Sequence, residues 1–429
     1  MRKLLVALAI LGSPICHAAL TATEKNIADH IIKSEQKQQR FLKQLTNVQS
    51  GTLNVKGVRK VGEMVRQELD HLGFKTRWVK EPANMQRAGT LMATHTGNGS
   101  SQRILLIAHL DTVFSKSAPF HQYSQKKYSA KGQGVIDDKG GIAVLIYALK
   151  ALHAAGELKN ANIIIVLTGD EEDSGKPTSI SRQPLIDVAK KSDVALDFEP
   201  AITMNTATIA RRGITMWTIT THGNASHSAT IFQKNVGVGA IFGLAHQLDE
   251  MRESLQLVKD LSFNPGIILG GSSVKYDNKI AAGVAVGKEN IVANIAMTKG
   301  DLRYLDAAQK QVVEDKMRAI VAEKMPGITS KIEFVDGIPP MPPTQNNLKL
   351  LNTYSAVSID LGDGKVVPLE PSVRGAGDIS YVASYVKESL SGLGPIGLGP
   401  HTVIESIELA SLVKQAQRAA ILLFRLMKN

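Results

Sequence analysis

Three clusters in the 429-residue chain carry groups able to hold a cation and move a proton: His109-Leu110-Asp111, Asp137-Asp138-Lys139-Gly140-Gly141 and Asp170-Glu171-Glu172. A fourth run, Val194-Ala195-Leu196-Asp197-Phe198-Glu199, ends in the same way. Imidazole and carboxylate groups gathered at the ends of neighbouring strands suit hydrolysis by a metal-activated water. In extended chain, residues two apart point the same way. Asp111 can therefore accept the second ring N–H of His109 and leave the other nitrogen for a metal. One aspartate of the second cluster can bridge two cations through its two oxygens, and the flanking glycines allow close backbone approach. In the third, adjacent side chains of an extended segment diverge, so one glutamate can ligate while its neighbour faces a substrate as a base. Each cluster also has a plain alternative: a strand-end histidine beside a turn aspartate, a solvated helix cap, or an acidic surface turn. Glu199 favours a shared site, because function gathers at the carboxyl ends of strands in open parallel sheets.

Such groups need strands and helices to position them, and the hydrophobic pattern supplies both. Residues 24–48 read as one helix, from Ile27, Ile31 and Ile32 through Phe41, Leu42 and Leu45. A second helix over 58–72 stops at Gly73. Short strands are expected at 75–79 and 90–94, buried strands at 104–108 and 162–167, and a helix over 140–152. This alternation argues an α/β domain with a largely parallel sheet. The pattern changes near Ala207. A half-exposed strand at 213–220, a helix at 236–248, strands at 267–269 and 291–298 and a helix at 306–325 form an α+β insertion. Beyond the proline-rich stretch 339–343, helices at 346–355 and 407–427 return to the first unit. The expected fold is thus a mostly parallel sheet flanked by helices, with an inserted lid. Residues 19–209 and 324–429 make the catalytic unit and 210–323 the insertion.

Residues 1–18 read as a cleaved export signal. Arg2 and Lys3 precede an apolar core at 4–11, and Cys16-His17-Ala18 offers small residues at the cleavage positions. An uncleaved interfacial helix and a lipid-anchored Cys16 are the alternatives. Cleavage before Ala19 removes the one cysteine, so thiol nucleophiles and thiolate metal sites are excluded. It also lowers the net charge from +11 to +9 by removing two cations. A periplasmic or secreted protein is expected. No stretch after residue 20 is long and apolar enough to span a bilayer. Lysines and arginines are scattered, without the aromatic-interleaved basic patch of single-strand binders. Nucleic acid is therefore not an expected partner, and the positive charge favours anionic substrates.

Four motifs in order, GQGVIDDKGG (132–141), TGDEEDSG (168–175), DFEP (197–200) and GNASHSA (223–229), resemble the dizinc exopeptidase family of aminoacylase, succinyl-diaminopimelate desuccinylase and bacterial glutamate carboxypeptidase. The likeness is greatest to the last and covers nearly the whole mature chain. It implies two Zn²⁺ per subunit. His109, Asp137 and Glu199 would hold one, with Asp111 behind His109. Glu172 and His401 would share Asp137 with the other, the Asp137–Asp138 peptide would be cis, and Glu171 would be the general base. His227 would reach into the partner subunit of a homodimer, formed through the insertion, to stabilise an oxyanion. Asn290, Arg303, Gly375 and Gly377 would bind substrate, a peptide or N-acyl amino acid. The implied activity is a carboxypeptidase; a dipeptidase, aminopeptidase or deacylase of the family, or a non-enzymatic periplasmic metal- or peptide-binding protein, is the alternative. Where glutamate carboxypeptidase has an arginine after the lid, this chain has Ile338 in Asp336-Gly337-Ile338-Pro339-Pro340, so a preference for acidic side chains does not follow.

Overall fold

Continuous apolar runs without alternation must be covered on both faces, and this decides the architecture. In the computed structural model, which describes residues 19–98 and 102–428, the strand Arg103–His109 lies inside a six-stranded sheet. It pairs in parallel with Asn162–Thr168 and Val194–Asp197, and Glu388–Ser391 extends the parallel set. Thr90–His95 and Lys75–Val79 add two antiparallel strands at the other edge. Ile104, Leu106 and Ala108 pack with Ile163, Ile165 and Leu167 into the larger core, shared with the helices Lys139–Ala154 and Leu409–Leu426. Leu105, Ile107, Val166 and Ala195 face Leu185, Val188 and Ile379 on the other side. Each buried Leu or Ile contributes roughly 1.5–3 kcal/mol. The targeting segment 1–18 lies outside the described residues. Among the described residues, no helix is long and apolar enough to cross a membrane.

Parallel pairing brings the strand ends to one edge. His109 is level with Thr168, and Ile107 with Asp197, which in turn is level with Ser391. The helix Lys139–Ala154 starts at this edge. A side chain at Gly141 would meet the Phe198 carbonyl oxygen at 2.0 Å, so glycine is what lets the helix start press against the strand end. A small sheet of Ser124–Gln125, Ser129–Lys131, Ser406–Glu408 and Gly397–Leu398 sits beside it. It holds the 132–138 loop next to the 399–405 loop.

The insertion is a four-stranded antiparallel sheet in the order Ser262–Gly271, Ile295–Tyr304, Gly213–His222, Thr329–Asp336. Helices Ala240–Leu255 and Ala307–Ala322 cover one face, over a core of Trp217, Ile219, Leu244, Met251 and Met317. The fourth strand corrects the expected boundary at 323. Thr329–Asp336 belongs to the inserted sheet, and the chain returns only where Arg211 and Met341 exchange backbone hydrogen bonds of 2.8 and 2.9 Å. The expected helix over 24–48 is two, Ala22–Lys33 and Glu35–Thr46. Ser34 divides them: its hydroxyl donates to the Ile31 carbonyl, which Gln38 also contacts, a side chain competing with the helical ladder.

Candidate metal centre

The site is built around Asp137. Its Oδ1 lies 2.9 Å from His109 Nε2, and its Oδ2 lies 3.0 Å from His401 Nε2. His401 Nε2 is also 3.3 Å from Glu172 Oε2, and His109 Nε2 is 3.8 Å from Glu199 Oε1. One ligand-capable atom each from His109, Asp137 and Glu172 lies within 4.8 Å of the others, and the same holds for His109, Glu171 and Glu199. Six of the residues singled out in the sequence thus converge. The Asp137–Asp138 peptide is cis.

Asp111 organises the neighbourhood. It is fully buried, and its oxygens accept Thr52 Oγ1 at 2.7 Å and the backbone N–H groups of Glu171 and Glu172 at 3.0 and 3.2 Å. His109 Nδ1 is 3.3 Å from its Oδ1 and 3.2 Å from its carbonyl oxygen. The ring N–H thus faces Asp111, as the two-residue spacing suggested, with the main chain as a second acceptor. Glu199 is gripped from behind: Arg211 Nη2 and Arg374 Nη2 reach its Oε2 at 3.2 and 2.6 Å, which leaves Oε1 toward His109. The sequence reading missed Arg211 and Arg374, although Arg374 directly precedes the glycine loop.

The electrostatics are those of a cation site. Burial works against charge on His109, yet the carboxylates of Asp111 and Asp137 raise its pKa well above the ordinary value. Asp137 and Glu172 push His401 up to about 10. Burial, then repulsion from Glu199, raises the Glu171 carboxyl well above the usual range. Glu172 Oε1 is buried without a hydrogen-bond partner. With its N–H spent on Asp111, His109 presents a lone pair toward a carboxylate, an arrangement that a proton or a metal must bridge. Two ligands of one tetrahedral zinc sit roughly 3.3 Å apart, close to the separations around both Asp137 oxygens. The residues present fit a pair of metal ions.

The remaining expected site residues fall in three places. Gly377 lies against Arg211: a Cβ there would be 1.9 Å from Nη1 and 3.3 Å from Glu171 Oε1. Gly375 borders open space. His227 and Asn290 neighbour each other in the insertion, where Ser228 N–H donates to the Asn290 carbonyl and exposed His227 Nδ1 accepts from Ala229 N–H. Arg303 stands on the insertion's sheet, ion-paired with Asp301 at 3.0 Å.

A parallel-sheet edge that sets two histidines and three glutamates around one central aspartate is the donor set of a binuclear metallohydrolase. The chain belongs to Peptidase family M20/M25/M40, whose model matches residues 105–425. It is therefore a hydrolase of the peptidase and amidohydrolase kind, in the family that the sequence motifs pointed to. It is 27% identical to carboxypeptidase G2 of Pseudomonas sp. over 396 residues, 90% of this chain and 88% of that protein. Its fold is similar to that of aminopeptidase PepT from Bacillus cereus, with a TM-score of 0.73 at 16% identity over 91% of this chain and 98% of that one. It is also similar to the Bacillus subtilis YXEP protein, a dinuclear metal binding peptidase from the M20 family, with a TM-score of 0.64 at 15% identity over 92% and 99%.

Proposed function

We propose that the protein is an exported dizinc hydrolase that cleaves an amide bond next to a free carboxylate, as a carboxypeptidase does. The observation that carries this reading is Asp137, whose two oxygens face two different histidines while Glu171 stands beside them. His109, Asp137 and Glu199 would hold one zinc, and Asp137, Glu172 and His401 the other. Zinc so held polarises a carbonyl and brings the pKa of a bound water to about 7. Glu171 takes a proton from the attacking water and hands it to the leaving amine. Arg211 Nε is buried without a hydrogen-bond partner, and Nη1, 3.8 Å from Asp197 Oδ2, abuts Gly377 beside Glu171. A buried guanidinium with N–H groups left over from its Glu199 and Asp197 pairs can take a further carboxylate, and we assign that place to the substrate's free carboxylate. Gly375 and Gly377 line its approach. His227 of a second subunit, with Asn290 and Arg303, completes the site across a homodimer formed through the insertion.

The similarity to carboxypeptidase G2 supports the carboxypeptidase sense of cleavage. Zinc-loaded protein should hydrolyse N-acylated amino acids and dipeptides with a free C-terminus, and blocking that carboxylate should abolish cleavage. Cleavage that survives C-terminal amidation but stops on N-acylation would show an aminopeptidase instead. Glu171→Gln should retain both metals in elemental analysis while turnover falls by about 100-fold or more. Normal turnover in that variant would remove Glu171 from the base role.

A further inference from the structure

His401 is the one residue of the metal centre that stands on an exposed loop. Its side chain is 55% exposed and its backbone is left-handed, with φ 65°, a conformation that costs a non-glycine residue energy unless the surroundings enforce it. Leu398, Val403 and Ile404 around it are exposed as well. A loop with so little burial does not by itself hold a ligand to a fraction of an ångström.

Four residues on, the chain turns inward at Glu405, which is 2% exposed. Its Oε2 accepts the Gly134 N–H at 2.7 Å. Its Oε1 accepts the N–H groups of Ile136 and Asp137 at 2.9 and 3.1 Å. The Glu405 carbonyl in turn accepts the Gly132 N–H at 3.3 Å. On the far side of the same loop, buried Lys139 donates to the carbonyls of Gln133 and Val48 at 3.1 and 2.9 Å. One carboxylate thus gathers three main-chain donors of the loop that carries the bridging aspartate. The connection closes a ring: from the Asp137 amide to Glu405, along the chain to His401, and from His401 Nε2 back to Asp137 Oδ2.

We infer that Glu405 is a positioning residue, a clamp that fixes His401 and Asp137 relative to each other and so builds the second metal position. The inference rests on the binuclear reading above and adds a residue that touches neither metal nor substrate. The first position depends on the clamp only through Asp137. His109 stands on a central strand, fixed by Asp111, and faces the other oxygen of Asp137. Glu405→Gln keeps the size of the side chain but sets an NH₂ donor against at least one of the three buried N–H groups, which loosens the clamp.

The test is a zinc titration of the chelator-stripped full-length protein against a chromophoric competitor, repeated with Co²⁺ and read by its absorption. In Glu405→Gln the first equivalent should bind as in the wild type, and the second about 10–100-fold more weakly, with an altered Co²⁺ spectrum for that equivalent. In a His401→Ala background the same change should weaken binding by less than about threefold more, as for two residues acting through one contact. A second equivalent that binds undiminished in Glu405→Gln overturns the clamp. So does a full loss repeated on top of His401→Ala. Should Glu405→Gln fail to fold, Glu405→Asp, too short to reach all three donors, goes through the same cycle under the same criteria. Wild-type protein that takes up fewer than two ions would defeat the binuclear reading; normal wild-type uptake with an insensitive Glu405 variant defeats the clamp alone.

Discussion

Glu171 and Glu172 are neighbours with different surroundings, and Asp111 is what separates them. By accepting both backbone N–H groups it fixes the turn so that Glu172 meets His401 while Glu171 faces His109 and Glu199. The sequence reading expects the two to diverge as neighbours in an extended segment; here they lie in a turn beyond the strand, and a buried carboxylate sets the geometry. His401 offers a pH-dependent prediction. In the metal-free protein its pKa is pushed up to about 10, whereas an unfolded histidine titrates near 6.5. Folding therefore favours the protonated ring. Its contribution to stability is full below about 6.5 and is lost as the pH rises through about 10. Metal must displace that proton. Calorimetry at about pH 8 in buffers of different ionisation enthalpy should show net proton release as zinc binds; heats that do not vary with the buffer would remove His401 from the ligand set.

At the scale of elements, a buried knot ties the acidic turn to the glycine loop. Arg182, 1% exposed, donates to Asp170 Oδ1 and Asp378 Oδ1 at 2.6 Å each, and to the Asp170 carbonyl and Ser174 Oγ at 2.9 Å. Asp378 also accepts Thr168 Oγ1. Arg182→Met would leave two buried carboxylates unpaired. It should cost about 3–5 kcal/mol in denaturant unfolding, and a loss under about 1 kcal/mol would show the knot to be dispensable. Elements with a strong period were legible in the sequence: the strand at 75–79 was found with its observed ends, and those at 104–108 and 162–167 to within a residue. The small sheet around 124–131 and 397–408 was not, since strands of two or three residues carry no period to read. The helix expected from Val236 starts at Ala240, because Gly237 and Gly239 take positive φ before it. At the site, His109, Glu171, Glu172 and Glu199 could be read because each sits at or just beyond a strand end, and Asp137 because it comes just before the glycines that open a helix. Arg374 and Glu405 could not, because their partners lie 175 and at least 268 residues away, and Arg182 and Arg211 could not, because they meet partners twelve residues off across loops that carry no period.

At the scale of the whole molecule, the six clustered residues and Glu405 all belong to the first unit, while His227, Asn290 and Arg303 belong to the insertion. If His227 acts across a homodimer, mixing inactive His227→Ala with inactive Glu171→Ala protein under subunit exchange should restore part of the activity, and no recovery would place His227 outside the reaction. The join between the two units reaches further. Arg211 and Met341 are hydrogen-bonded to each other, and Ile214 bonds to Gly337 and Ile338 just beyond them, so the insertion leaves and re-enters the catalytic unit through one doorway. Its two ends already touch, and a short turn could replace everything between them. The inserted unit is in this sense a cassette, so its exchange or removal should leave the metal centre behind the doorway intact, which metal uptake by such a variant would check.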